Sequence, residues 1–67
     1  MITIKNKNSI NPNEYSFYYD DGRNTEFIKA YAHTMDEAKK LVIDAVCSKY
    51  DIDPPIARSR LQHISSF

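Results

Sequence analysis

The sequence predicts an α+β fold: a small antiparallel sheet of two or three strands, built on a β-hairpin over 14–33 and packed on one long helix, with a short C-terminal helix. Three observations predict it. Asp21-Gly22 sits between two strand-like runs, a strong two-residue hairpin signal because both residue types tolerate positive φ. Thr34-Met35-Asp36-Glu37 is a capping box that opens an apolar stripe of helical period. Asp53-Pro54-Pro55 stops one helix and starts another, with Asp53 as N-cap and Pro54 where a missing N–H is harmless.

Taken in order, Ile2-Thr3-Ile4-Lys5 is a short strand, and residues 6–13, rich in Asn with Pro12, read as a connector with turns. Glu14-Tyr15-Ser16-Phe17-Tyr18-Tyr19 is an aromatic-rich strand, and Thr25 to His33 is its return. With Asp21-Gly22 as a two-residue loop, Asp20 faces Arg23, Phe17 faces Glu26 and Tyr15 faces Ile28. Alternation then sorts Tyr15, Phe17, Tyr19, Glu26, Ile28, Ala30 and Ala32 to one face, and Ser16, Tyr18, Thr25, Phe27, Lys29, Tyr31 and His33 to the other. The first set, with small and branched residues that let a helix approach, is the predicted core.

The helix should run over 35–50. Ala38, Leu41, Val42, Ala45 and Val46 form one stripe, and Ile43, Cys47 and Tyr50 form a second that needs another cover. A second helix over 54–64, with Ala57, Leu61 and Ile64 along one side, supplies that cover, and residues 65–67 should fray.

The chain has 67 residues, which makes it one domain, 1–67, with too little length for a nucleotide-binding α/β sheet or a barrel. A domain of this size buries only roughly 60% of its unfolded surface. Nine Lys and Arg balance nine Asp and Glu, which weighs against attachment to DNA or lipid by bulk positive charge. The single cysteine, Cys47, excludes an internal disulfide framework. No apolar run approaches the roughly 20 residues needed to span a bilayer, and the N-terminus lacks a signal-peptide h-region. The expectation is a complete, non-enzymatic, cytoplasmic protein with no cofactor, no metal and no membrane partner. Cys47, His33 and His63 do not assemble a nucleophile, base and oxyanion set, and Cys47 reads as an inert thiol on an apolar stripe.

The outward sheet residues Tyr18, Phe27, Lys29, Tyr31 and His33 mix rings with cations and are the expected partner-binding surface, since Tyr and Phe supply large contact area with few rotors. Residues 14–26 hold four acids against Arg23, so Asp20, Asp21 and Glu26 are candidates for mimicking phosphates toward a basic groove. The segment from Cys47 to Ile64 resembles a helix-turn-helix, with small or apolar residues at Cys47, Tyr50, Ile52, Ala57 and Leu61. That resemblance implies a DNA-binding regulator in which Arg58, Arg60 and His63 make the nucleic-acid contacts. Thr34-Met35-Asp36-Glu37-Ala38 after strands is similar to the helix opening of three-stranded DNA-binding domains of the integrase-arm and AP2 kind.

In size and style, with its small sheet at Tyr15–Tyr19 and Thr25–His33 and helix at Met35–Tyr50, the chain resembles phage and mobile-element inhibitors, the anti-CRISPR and related host-takeover proteins. The resemblance implies stoichiometric binding to a host or defence protein, either a free protein or a nucleoprotein complex, with blockage of its substrate groove or motion. Nucleic acid alone is a less favoured partner. A homodimer through the exposed rings is the remaining alternative.

Overall fold

The computed structural model describes residues 2–5 and 11–66. Elements run β1 (Ile2–Lys5), β2 (Asn13–Asp20), β3 (Thr25–Ala32), α1 (Met35–Tyr50), α2 (Pro54–Arg60) and β4 (Leu61–Ser66). The fold is α+β, as the sequence predicts, but the sheet has four strands in the order β1-β3-β2-β4 and is mixed rather than antiparallel. β1 lies parallel to β3, and β2 is antiparallel to both β3 and β4.

The hairpin closes two residues later than a two-residue loop requires. Asp20 pairs with Thr25, Phe17 with Ile28 and Tyr15 with Ala30, leaving residues 21–24 as the loop. Its chemistry explains the length. Asp20 Oδ1 accepts from the Gly22 amide at 2.9 Å, and Asp21 Oδ1 accepts from the Arg23 and Asn24 amides at 2.8 and 2.6 Å. Only Gly22 takes a positive φ, 88°. A two-residue shift preserves side-chain parity, so the predicted faces hold. Ile28 is 1% exposed, and Phe27 beside it is 57% exposed.

The core is the inner sheet face closed by α1. Phe17, Tyr19, Ile28, Ala30 and Ala32 meet Ala38, Val42 and Val46, and Ala57 of α2 joins them. Ile2 and Ile4, paired with Ile28 and Ala30, extend this face at the β1 edge. α1 starts as predicted: Thr34 Oγ1 accepts from the Glu37 amide at 3.2 Å. The return half of the box shifts by one residue, and Glu37 Oε2 accepts from the His33 amide at 3.3 Å. α1 ends at Asp51 in the left-handed region, φ 54°, with its amide donating to the Cys47 carbonyl. Asp51 thus occupies the position where glycine is commonest.

The predicted helix over 54–64 is corrected. α2 stops at Arg60, and residues 61–66 pair with β2 as an edge strand. The segment gains more as a strand, because β2 otherwise keeps a free row of backbone donors and acceptors. Asp53 sits at the N-cap, where its carbonyl rather than its side chain accepts from the Ile56 and Ala57 amides. Ile64 is the extra residue of a bulge, since Ser16 pairs with Ser65 and Phe17 with His63; it is 49% exposed and does not join the core. The expected fraying over 65–67 is replaced by strand through Ser66, and Phe67 lies outside the described residues. The connector predicted over 6–13 likewise lies outside them for residues 6–10.

Two outcomes check this packing. Ile28→Ala should cost about 3 kcal/mol in urea unfolding, as large-to-small core changes do, whereas Phe27→Ala on the open face should cost under about 1 kcal/mol. Asp51→Gly should raise stability by about 0.5 kcal/mol, because glycine enters the left-handed region without the Cβ penalty.

Candidate functional site

Both helices pack on one side of the sheet. Among the described residues, no element covers the other side. This open face is assembled by register. Tyr18 of β2 lies opposite Phe27 of β3, their rings 5.0 Å apart and tilted by 57°, an edge-to-face-like pair that adds to the area it covers. Lys29 Nζ lies 3.3 Å from Glu14 Oε1, an exposed pair worth little by itself. Lys5 of β1 stands opposite Tyr31, with Nζ 5.6 Å from the ring centroid. Gln62 of β4 pairs with Tyr18 at the far edge.

Four of the five predicted partner-binding residues, Tyr18, Phe27, Lys29 and Tyr31, therefore share one surface. His33 lies one residue past β3, at the strand–helix junction; its carbonyl accepts from Asn13 Nδ2 at 3.1 Å and its amide caps onto Glu37. Lys5, Glu14 and Gln62, none of them in the predicted partner-binding set, join the surface. Lys5 and Gln62 arrive there only because β1 and β4 flank the hairpin, which is long-range pairing with no local signal. Glu14 was legible, since it shares the parity of Tyr18.

Asp20, Asp21 and Glu26 are not brought together. Asp21 is committed to the loop. The Asn24 amide first, then the Arg23 amide, hold its carboxyl down from the ordinary 3.8 to about 2, and the Tyr19 hydroxyl also donates to it at 3.0 Å. Glu26 lies on the helix side, opposite Tyr19 in the register, where Lys49 of α1 donates to it at 2.8 Å. That bond lowers the Glu26 pKa and raises that of Lys49. Asp20 shares the parity of the open face and sits at its end.

The helix-turn-helix resemblance over 47–64 does not survive the structure: α2 is seven residues long, and the stretch that would continue a recognition helix is β4. Arg58, Arg60 and His63 also diverge. Arg60 turns to Tyr19, donating from a terminal guanidinium nitrogen to the hydroxyl at 3.4 Å. That hydroxyl's pKa is raised, chiefly by burial, while its ring stacks on Tyr50 at 4.6 Å with planes 11° apart. His63 lies against Phe17, centroids 5.5 Å apart. Arg58 and His63 border a groove on the helix side.

Cys47 is half-buried and packs against the core cluster. Among the described residues, no three His, Cys, Asp or Glu converge on a point that would hold a metal ion, and no helix is long and apolar enough to cross a membrane. No family model matches this chain, and neither a curated protein nor a solved structure matches it.

The loop carboxylate gives a pH prediction. A carboxyl whose folded pKa is depressed contributes stability above its unfolded pKa and loses it as pH falls through the folded value. The stability difference between the native chain and Asp21→Asn should therefore be largest above about pH 4 and shrink as pH falls from 3.8 toward about 2, measured by urea unfolding along a pH series.

Proposed function

We propose that this chain is a small, non-enzymatic protein-binding module that attaches by its open sheet face to a partner protein, in the manner of the phage-type inhibitors of host defence or nucleic-acid-processing proteins that it resembles in size and style. The observation that carries this reading is the uncovered aromatic strip, with Phe27 57% exposed and paired with Tyr18 across β2 and β3, whose other side packs against α1. Rings of this kind anchor interfaces because they exclude water over a large area at small rotamer cost.

The area is sufficient for a modest interface. β2 and β3, of eight residues each, β4 of six and β1 of four, about 4.8 Å apart, cover a patch on the order of 400 Å², to which protruding side chains and flanks add accessible area, against the ~800 Å² per partner of a standard complex. Charge favours protein over nucleic acid on this face. Lys5 and Lys29 are matched there by Glu14 and Asp20, so a polyanion meets no net positive field. The inhibitory action is occlusion: a rigid two-layer body held on the target blocks a groove or a movement. Cytoplasmic contact with the target accords with the lone, half-buried Cys47.

Tagged native chain, a Phe27→Ala/Tyr31→Ala variant and an Arg58→Ala/Arg60→Ala variant, each presented to a lysate of the source cell or its host, test this. A specifically captured protein should be lost with the first variant, at least about thirtyfold in affinity for two anchor residues, and kept with the second. Its affinity should change little with salt, because the mimicry set is dispersed and the face is charge-balanced. Capture that survives Phe27→Ala/Tyr31→Ala, or a shift of duplex DNA without terminal phosphates that is abolished by Arg58→Ala/Arg60→Ala, overturns the reading. Light scattering that shows a dimer dissolved by the first variant replaces the foreign partner with a second copy of the chain.

A further inference from the structure

On the opposite side of the sheet α1 packs chiefly over β3, and α2 ends early at Arg60. The inner face of β4 and the adjoining part of β2 are consequently left under a groove of about 530 Å³, within the size range of small-ligand sites. Leu61 and the His63 ring line it, with His63 5.5 Å from the Phe17 ring and tilted to it by 56°. Ile43 of α1 forms one wall. Beside these stand three cations from two helices, Lys39 and Lys40 of α1 and Arg58 of α2, with Asp36 as the one carboxylate.

Two observations set this groove apart from an ordinary solvated surface. The chain carries nine Lys and Arg against nine Asp and Glu, yet three of those cations converge here around one acid. The ion pairs among the described residues are Lys29–Glu14 and Lys49–Glu26, so none of the three is paired with an acid among the described residues. Cations that line one groove raise its positive potential and favour a bound anion.

We propose that this groove binds a phosphorylated nucleoside. Lys39, Lys40 and Arg58 hold the phosphate oxygens, the guanidinium as a fork and the ammoniums as point charges. The exposed His63 ring, with Leu61 and Ile43 beside it, receives the planar base. Asp36 accepts from a sugar hydroxyl or a base amine. A carboxylate peptide fits less well, because the space admits one compact ligand and offers a flat surface beside the charges. The same chemistry is presented by a free nucleotide and by the 5′-phosphorylated end of a single strand. The site lies on the far side of the sheet from the Phe27 surface and is independent of it.

Titration of the whole chain with ADP, adenosine, pyrophosphate and a short 5′-phosphorylated oligonucleotide, followed by calorimetry and by amide shifts in NMR spectra, tests this. ADP or the oligonucleotide should bind and move the Lys39, Lys40, Arg58 and His63 resonances, and adenosine should bind far more weakly. The tighter of the two phosphorylated probes identifies the source. Lys39→Ala/Lys40→Ala and Arg58→Ala, all at exposed positions, should each weaken ADP about tenfold or more. His63→Ala should weaken ADP but not pyrophosphate, and His63→Phe, which keeps a flat ring, should restore it. Phe27→Ala/Tyr31→Ala should leave ADP binding intact, which separates this site from the proposed protein-binding face. No binding of either phosphorylated probe at about 1 mM, equal binding of adenosine and ADP, equal binding of pyrophosphate and ADP, or affinity indifferent to the loss of the three cations overturns the proposal.

Discussion

Along β2 and β3, neighbouring side chains point to opposite sides, and only one of those sides is closed by a helix. The constraint is strict because α1 offers Ala38, Val42 and Val46, and these need small or branched partners at Ile28, Ala30 and Ala32 to approach closely. A slip of one residue would put Lys29 and Tyr31 under the helix and Ile28 in water. The cost of that exchange holds the register, and the register in turn fixes which rings face outward. The open face is thus a by-product of the core: the residues that cannot enter the helix interface are left to meet something else.

Tyr19 ties the remaining pieces to this frame. Its ring is buried against Tyr50 at the end of α1, and its hydroxyl donates to Asp21 in the hairpin loop while accepting from Arg60 at the end of α2. One side chain therefore links the loop, the helix end and the turn into β4. A buried hydroxyl needs such partners to offset its lost hydration. The same contacts withdraw Arg60 and Asp21 from any surface role, which is why neither belongs to a binding face.

Local signals carried much of this into the sequence. The capping box at Thr34, the Asp-Gly turn, Pro54 at the first helical position and the 3.6-residue period from Ala38 to Val46 are all short-range chemistry, and the elements stand where they indicate. The faces of the hairpin were legible although its loop length was not, because Asp20 and Asp21 recruit the Gly22, Arg23 and Asn24 amides and extend the loop by two, an even number. β4 was not legible. Ala57, Leu61 and Ile64 imitate helical spacing, while the alternation in Leu61-Gln62-His63 is polar at two of three positions and is broken by the bulge at Ile64. Only the free edge of β2 makes that stretch a strand. The parallel pairing of β1 is of the same long-range kind. The groove was missed with β4: with residues 61–64 read as helix, His63 had no reason to lie beside Phe17, nor Arg58 to line one groove with Lys39 and Lys40.

The two outermost strands come from opposite ends of the described chain, β1 from residues 2–5 and β4 from residues 61–66. The hairpin and α1 close over short separations in sequence, whereas these borders are joined over long ones, which are entropically the slower closures. During synthesis the central hairpin and its helix have emerged before residues 61–66 leave the ribosome. Gln62 on one side of the sheet, and Leu61 and His63 on the other, are supplied by that last segment. One strand, β4, thus completes both of the sheet's outward-looking surfaces.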